Sequence, residues 1–151
     1  MPQRYIGVTL PIRLGNNGMF EQSQELITQV RSNFKNLILT KKGERISQPD
    51  LGCDLWKVLF DSAVEDTYTS ARLALVDAVD RWLPYLEITD FEINQNITNP
   101  NLIDIKCAYR FRNNPNVRDQ ISISTNALGT STVEFTTEEQ EISEFRRRRG
   151  L

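Results

Sequence analysis

From Leu26 to Ile38, apolar residues return at steps of three and four. Leu26, Ile27, Val30, Phe34, Leu37 and Ile38 share one helical face, with Gln24, Gln29, Arg31 and Lys35 on the other. That helix is expected to end near Thr40, where Lys41, Lys42 and Gly43 supply a cationic last turn and a glycine stop. A dense apolar group, Leu55, Trp56, Val58, Leu59 and Phe60, predicts a short helical turn. A second long helix is predicted from about Val64 to Trp82, with Tyr68, Ala71, Leu75, Ala78, Val79 and Trp82 facing inward, and Pro84 stops it. Beyond Leu86 the period falls to two. Leu86 and Ile88 alternate in one phase and Phe91 and Ile93 in the other, which predicts a bulge near Thr89 and Asp90. Asn99-Pro100-Asn101 is a turn signal. Ile103, Ile105, Cys107, Tyr109 and Phe111 then define a strand with one buried and one wet face, and Val117, Ile121 and Ile123 a third strand. Residues 130–136, with Val133 and Phe135, form a weaker fourth. Helices followed by an antiparallel meander predict an α+β domain: two long helices and a short one packed on three or four strands. The expected organisation is an extended arm over residues 1–18, a domain over 19–125, and a terminal strand with a charged tail over 126–151.

The chain contains no histidine. That removes the commonest general base, the commonest metal ligand, and any Ser-His-Asp or Cys-His arrangement. Two cysteines, Cys53 and Cys107, lack the spacing of a metal site or a disulfide framework and are expected as buried thiols. Glu44, Asp50 and Asp54 cluster in one loop. They have two readings, a glycosidase-type carboxylate pair or loop charges with Asp50 or Asp54 capping the short helix; the second is favoured. No glycine-rich phosphate loop is present, and no cofactor or metal is expected. The net charge of −2 argues against a nucleic-acid partner, and no apolar run approaches a membrane span. No secretory leader is recognised at the N-terminus, so a reducing cytoplasm is the expected site of synthesis. The one basic block, Arg146, Arg147, Arg148 and Arg149, reads either as a solvated end or as an arm for an acidic neighbour.

One segment is more specific than its periodicity requires: LILTKKGERISQPDLGCDLWKVLF, residues 37–60. With Leu39-Thr40, Gly43-Glu44-Arg45, Pro49, Gly52, Leu55 and Leu59-Phe60 in register, it resembles the baseplate wedge and sheath-initiator family of contractile phage tails. A type VI secretion baseplate subunit is a relative of that family. The likeness runs from about Met19 to Ile93. It implies a structural, non-enzymatic subunit of the inner baseplate that starts sheath assembly by strand exchange. The implied partners are the wedge core-bundle proteins, the tail sheath protein, and possible tube or hub proteins. It further implies several copies in a ring, six by analogy, in a virion tail baseplate assembled in the host cytoplasm. The secretion counterpart is the alternative reading; a regulatory binding module and a lysozyme-like enzyme are remote ones. Where the family carries Glu-Pro-Arg after the second helix, this chain has Leu83-Pro84-Tyr85, so both charges are missing. Trp82, Leu83, Pro84 and Tyr85, with Arg81 and Glu87, are therefore the candidate wedge contact, or Pro84 simply stops the helix and Tyr85 joins the core. The loop residues Gly43, Glu44, Arg45, Pro49 and Gly52 either meet a partner or brace the loop through Arg45. Val133, Phe135 and the four arginines are the candidate sheath contacts.

Overall fold

The protein was analysed as a computed structural model, which describes residues 5–15, 19–60, 66–95, 98, 102–126 and 131–136. Its elements are β1 (Gly7–Val8), β2 (Gln22–Ser23), α1 (Leu26–Leu39), α2 (Leu55–Phe60), α3 (Thr67–Trp82), β3 (Leu86–Gln95), β4 (Leu102–Phe111), β5 (Arg118–Asn126) and β6 (Ser131–Thr136). The last four form an antiparallel sheet in chain order, β3-β4-β5-β6, and the fold is α+β as the periodicity requires.

Helix α1 buries Val30, Phe34, Leu37 and Ile38, and α3 buries Ala71, Leu75, Ala78 and Val79. Asp66 caps α3 by accepting the Thr69 N–H at 3.0 Å, and hydrogen bonding from the Thr69 side chain, then from this N–H, lowers the pKa of its carboxyl. The α1 and α3 faces meet Ile105, Cys107 and Tyr109 of β4 and Ile121 and Ile123 of β5 in one core, where the Phe34 and Tyr109 rings lie 4.8 Å apart. Trp56 ties α2 to the end of α1 by donating its indole N–H to the Ile38 carbonyl at 2.7 Å. The register of β3 against β4 shifts between Ile88 and Asp90, where the change of phase placed a bulge.

Several expectations are corrected. Tyr68 is not inward: it is 48% exposed, with its hydroxyl donating to the Phe91 carbonyl at 2.7 Å. Helix α1 stops at Leu39 without glycine; Thr40 turns extended and gives both its N–H and its hydroxyl to the Asn36 carbonyl. Val117 lies outside β5 and is exposed. The described part of the N-terminal arm is extended but does not stand free: β1 pairs with β2, Gly7 opposite Ser23, and Leu14 bridges Phe20. This ribbon crosses the boundary expected at residue 18. It is fastened to α1 by the Leu10 N–H on Ser32 Oγ and by Ser23 Oγ on Gln29 Oε1 at 2.6 Å. Likewise β6 pairs with β5 from Gln120↔Thr136 to Thr125↔Ser131, across the boundary expected at 126. The proposed turn at Asn99-Pro100-Asn101 and the charged tail with Arg146, Arg147, Arg148 and Arg149 lie outside the described residues.

Candidate functional site

Two neighbouring features hold most of the candidate residues: the loop between α1 and α2, and the turn between α3 and β3. In the loop, Gly43 adopts φ +86° and Gly52 φ +128°, backbone conformations that side chains resist. A Cβ at Gly52 would lie 2.4 Å from the Thr40 carbonyl oxygen, so only glycine lets the loop close against the end of α1. The Cys53 N–H completes the closure by donating to Thr40 O at 2.9 Å. Pro49 accepts the Gly43 N–H at 2.7 Å, and Glu44 folds back to accept the Lys41 N–H at 3.1 Å. Arg45 braces the loop, with the Asn36 amide oxygen as its partner at 2.9 Å rather than a loop carboxylate. Asp50 pairs with Arg81 at 3.3 Å and Asp54 with Lys42 at 2.9 Å, where side-chain capping of α2 was expected. Each carboxylate of the loop is thus held by a neighbour within the loop or on α3.

In the turn, Leu83 is 6% exposed and belongs to the core, which corrects its reading as a surface anchor. Pro84 is exposed. Tyr85 is half-buried against the core, and its hydroxyl accepts the Asn33 amide N–H at 3.3 Å. Trp82 is half-buried with Arg81 stacked 5.4 Å from its ring centre, and its buried indole N–H has no partner among the described residues. Glu87 pairs with Arg110 at 2.8 Å, and that hydrogen bond lowers its carboxyl from the usual range. Periodicity gave no sign of Arg112. Its N–H donates to Tyr85 O at 3.0 Å, its Nε–H to Leu86 O at 3.0 Å, and its Nη2 to Asp80 at 2.6 Å. The Arg112–Asp80 pair is thus strapped over the turn that holds Leu83, Pro84 and Tyr85.

Sequence reasoning also missed a buried ionic cluster. Asp119, with no side-chain exposure, accepts Arg31 Nε–H at 2.7 Å, Arg31 Nη2–H at 3.0 Å and the Tyr109 hydroxyl at 2.7 Å. The Asp119 hydrogen bond raises the guanidinium's pKa, and burial, followed by the neighbouring carboxylate, raises that of the Tyr109 phenol. Only the inward phase of Asp119 with Ile121 and Ile123 could have signalled it.

Burial raises Cys53 to about 11 and Cys107 higher still, so neither is a nucleophilic thiolate. Among the described residues, no three acidic or thiol side chains are grouped to hold a metal, and no helix is long and apolar enough to cross a membrane. On the outer face of the sheet, Asp90, Glu92, Lys106, Ala108 and Gln120 line a depression of about 130 Å³. The backbone of β6 carries Val133 and Phe135 opposite Ile123 and Ile121.

The described residues thus place a closed, braced loop beside a strapped turn on a helix-backed antiparallel meander, the setting in which a family of baseplate wedge proteins is recognised. Residues 24–116 match the family model of the baseplate wedge protein gp25, well over half of the chain, and the chain belongs to that family. No curated protein sequence matches it. Among solved structures, it is similar to a Geobacter sulfurreducens protein described as a candidate tail lysozyme, with a TM-score of 0.58 and 19% identity over 68% of this chain and 91% of that one. It is also similar to a chain of the 6-fold symmetrised anti-feeding prophage baseplate, with a TM-score of 0.52 and 11% identity over 90% of each chain. At these identities the likeness is one of fold.

Proposed function

We propose that this chain is an inner-wedge subunit of a contractile-tail baseplate which links the wedge to the first sheath ring and starts sheath assembly by strand exchange, without catalysing a reaction. The observation that carries this reading is the contrast between the two edges of the sheet. Edge strand β3 is guarded: its register shifts at Ile88 and Asp90, and it bears Glu87, Asp90 and Glu92. Edge strand β6 runs without a register shift along β5, Ser131 to Thr136. An incoming strand gains main-chain hydrogen bonds there and alternating positions that fix its register. Val133 and Phe135 lie on that strand, and the arginines 146–149 follow it in sequence. The wedge side of the subunit is the turn around Trp82, Pro84 and Tyr85 with Arg81, Glu87 and Arg112. The apolar ribbon adds to it: Tyr5, Ile6, Ile12, Leu14, Met19 and Phe20 are all 46% or more exposed, a surface that a neighbour covers in an assembly. The symmetry of the anti-feeding prophage baseplate supports six copies.

Proline scanning tests the edge. Successive N–H groups of an edge strand point alternately toward its partner and away from it, so of Thr132→Pro and Val133→Pro one keeps the ladder intact. The tolerated variant is expected to melt within a few degrees of the parent while particles made with it carry baseplates without sheaths. If both variants start full-length sheaths at the parental frequency in electron micrographs, strand exchange at β6 is wrong.

A further inference from the structure

Strand register sorts the open face of the sheet into rows. One row runs Glu92, Lys106, Ser122, Glu134, with an acid on each edge strand and the cation between them. Two rows on, Glu87 of β3, Arg110 of β4 and Arg118 of β5 stand side by side, and among the described residues the row stops there. Glu87 pairs with Arg110. Arg118 is left exposed, directly opposite another cation, with no ion pair among the described residues. Like charges placed opposite each other destabilise a sheet. The backbone at Arg118 is unfinished as well. The Phe111 N–H donates to Val117 O at 3.3 Å, so the main-chain carbonyl of residue 117 points to β4. Successive residues of a strand point to opposite sides, which turns the N–H and C=O of Arg118 toward the β6 side. There the described pairing begins only at Gln120, opposite Thr136. One position thus lacks both a carboxylate for its side chain and a strand for its backbone.

We propose that Arg118 is the docking site of the chain's own acidic tail: β6 continues past Thr136, and the Glu138 carboxylate meets the Arg118 guanidinium. Register names the residue. With Gln120 opposite Thr136, each step back along β5 is a step forward beyond β6, and Arg118 falls opposite position 138. The phase is also right, because Glu138 follows Glu134 and Thr136 onto the open face, whereas Glu139 falls on the helix-backed one. The row then reads Glu87, Arg110, Arg118, Glu138 and has an acid at both edges, as the row at Lys106 has. An acid of this chain prevails over a neighbour's because one residue, Thr137, separates Glu138 from a paired one, which holds it at a high effective concentration. The start of the acidic run is then a fastening, and the stretch that carries Arg146 to Arg149 leaves the sheet beside Arg118. The contact goes beyond the baseplate reading and does not depend on it.

An exposed ion pair contributes little to stability, so the test reads position. In the isolated full chain, Arg118→Cys with Glu138→Cys is oxidised under native conditions. Arg118→Cys with Glu139→Cys is the control in the other phase. The chain's own thiols, Cys53 and Cys107, are buried and do not compete. Opposite positions on one face suit a disulfide and positions on two faces do not, so the first pair is expected to close within the monomer about tenfold faster or more. Mass spectrometry of the linked peptides identifies the product. Equal rates, or a disulfide that joins two copies, overturn the proposal. Amide hydrogen exchange reads the same contact without added cysteines. The amide of residue 118 is expected to be protected about tenfold or more in the parent, to lose most of that protection in Glu138→Arg, and to regain it in Arg118→Glu with Glu138→Arg. An unprotected amide at position 118 in the parent overturns the proposal, as does a double variant no better protected than Glu138→Arg.

Discussion

A single carboxylate, Asp119, joins the helical layer to the sheet by accepting from Arg31 on α1 and from Tyr109 on β4. Removing one member of such a buried group leaves the others desolvated and unpaired, whereas replacing charged partners together with apolar ones costs much less. Asp119→Ala is expected to lower unfolding stability by about 3–5 kcal/mol in urea titrations. The double substitution Arg31→Met with Asp119→Leu should cost clearly less than that, and a double variant worse than the single one would contradict this account. At this scale the sequence was hardest to read. Spacing alone put Arg31 and Gln29 on the wet face of α1, because helical periodicity cannot tell solvent from a neighbour reached through a long polar side chain. Leu83 was misplaced for a related reason: lying before Pro84, it reads as a turn residue, but the turn folds inward and buries it.

Elements with strong internal periodicity were legible. Helices α1 and α3, the alternation of β4 and the phase slip in β3 stand where their apolar residues placed them, because each buries one continuous face against the same core. The ribbon and β6 were partly legible: alternation marked them as strand-like, but alternation does not name a partner, and both pair within the chain. The loop after α1 was read as a motif, but its closure was not foreseen, since that depends on how closely Gly52 approaches the Thr40 carbonyl. Gly52→Ala sets a Cβ against that oxygen in a backbone region hostile to side chains. It is expected to cost about 2 kcal/mol or more and to loosen residues 41–52. Amide hydrogen exchange of Cys53, whose N–H closes the loop, should quicken in the variant. Unchanged exchange there would show that the closure does not depend on glycine.

At the scale of the molecule, the titrating groups that the fold perturbs most among the described residues are weak acids kept neutral. Burial raises Cys53 from 9.0 to about 11, and raises Cys107 and, with Asp119 beside it, Tyr109 further. A folded pKa above the unfolded one contributes stability that is fully present below the unfolded value and is lost as pH climbs toward the folded value. The urea midpoint should therefore hold steady from neutral pH to about 8.5 and fall progressively above about 9. A thiol reagent at about pH 8 should find no reactive cysteine in the native chain and two after unfolding. A midpoint constant to pH 11, or rapid labelling of the native chain, would count against this.

The sheet's plain order, each strand beside the next in the chain, governs how the protein is born. Its four strands can zip up as successive hairpins with short loops to close, while the bond from Arg31 to Asp119 spans 88 residues. Helix α1 leaves the ribosome before the strands that complete its cover, and Val30, Phe34, Leu37 and Ile38 are fully buried only once β4 and β5 have followed α2 and α3. A nascent chain stalled before Ile123 carries that greasy stripe only partly covered, an invitation to chaperones and to its own siblings on the same message.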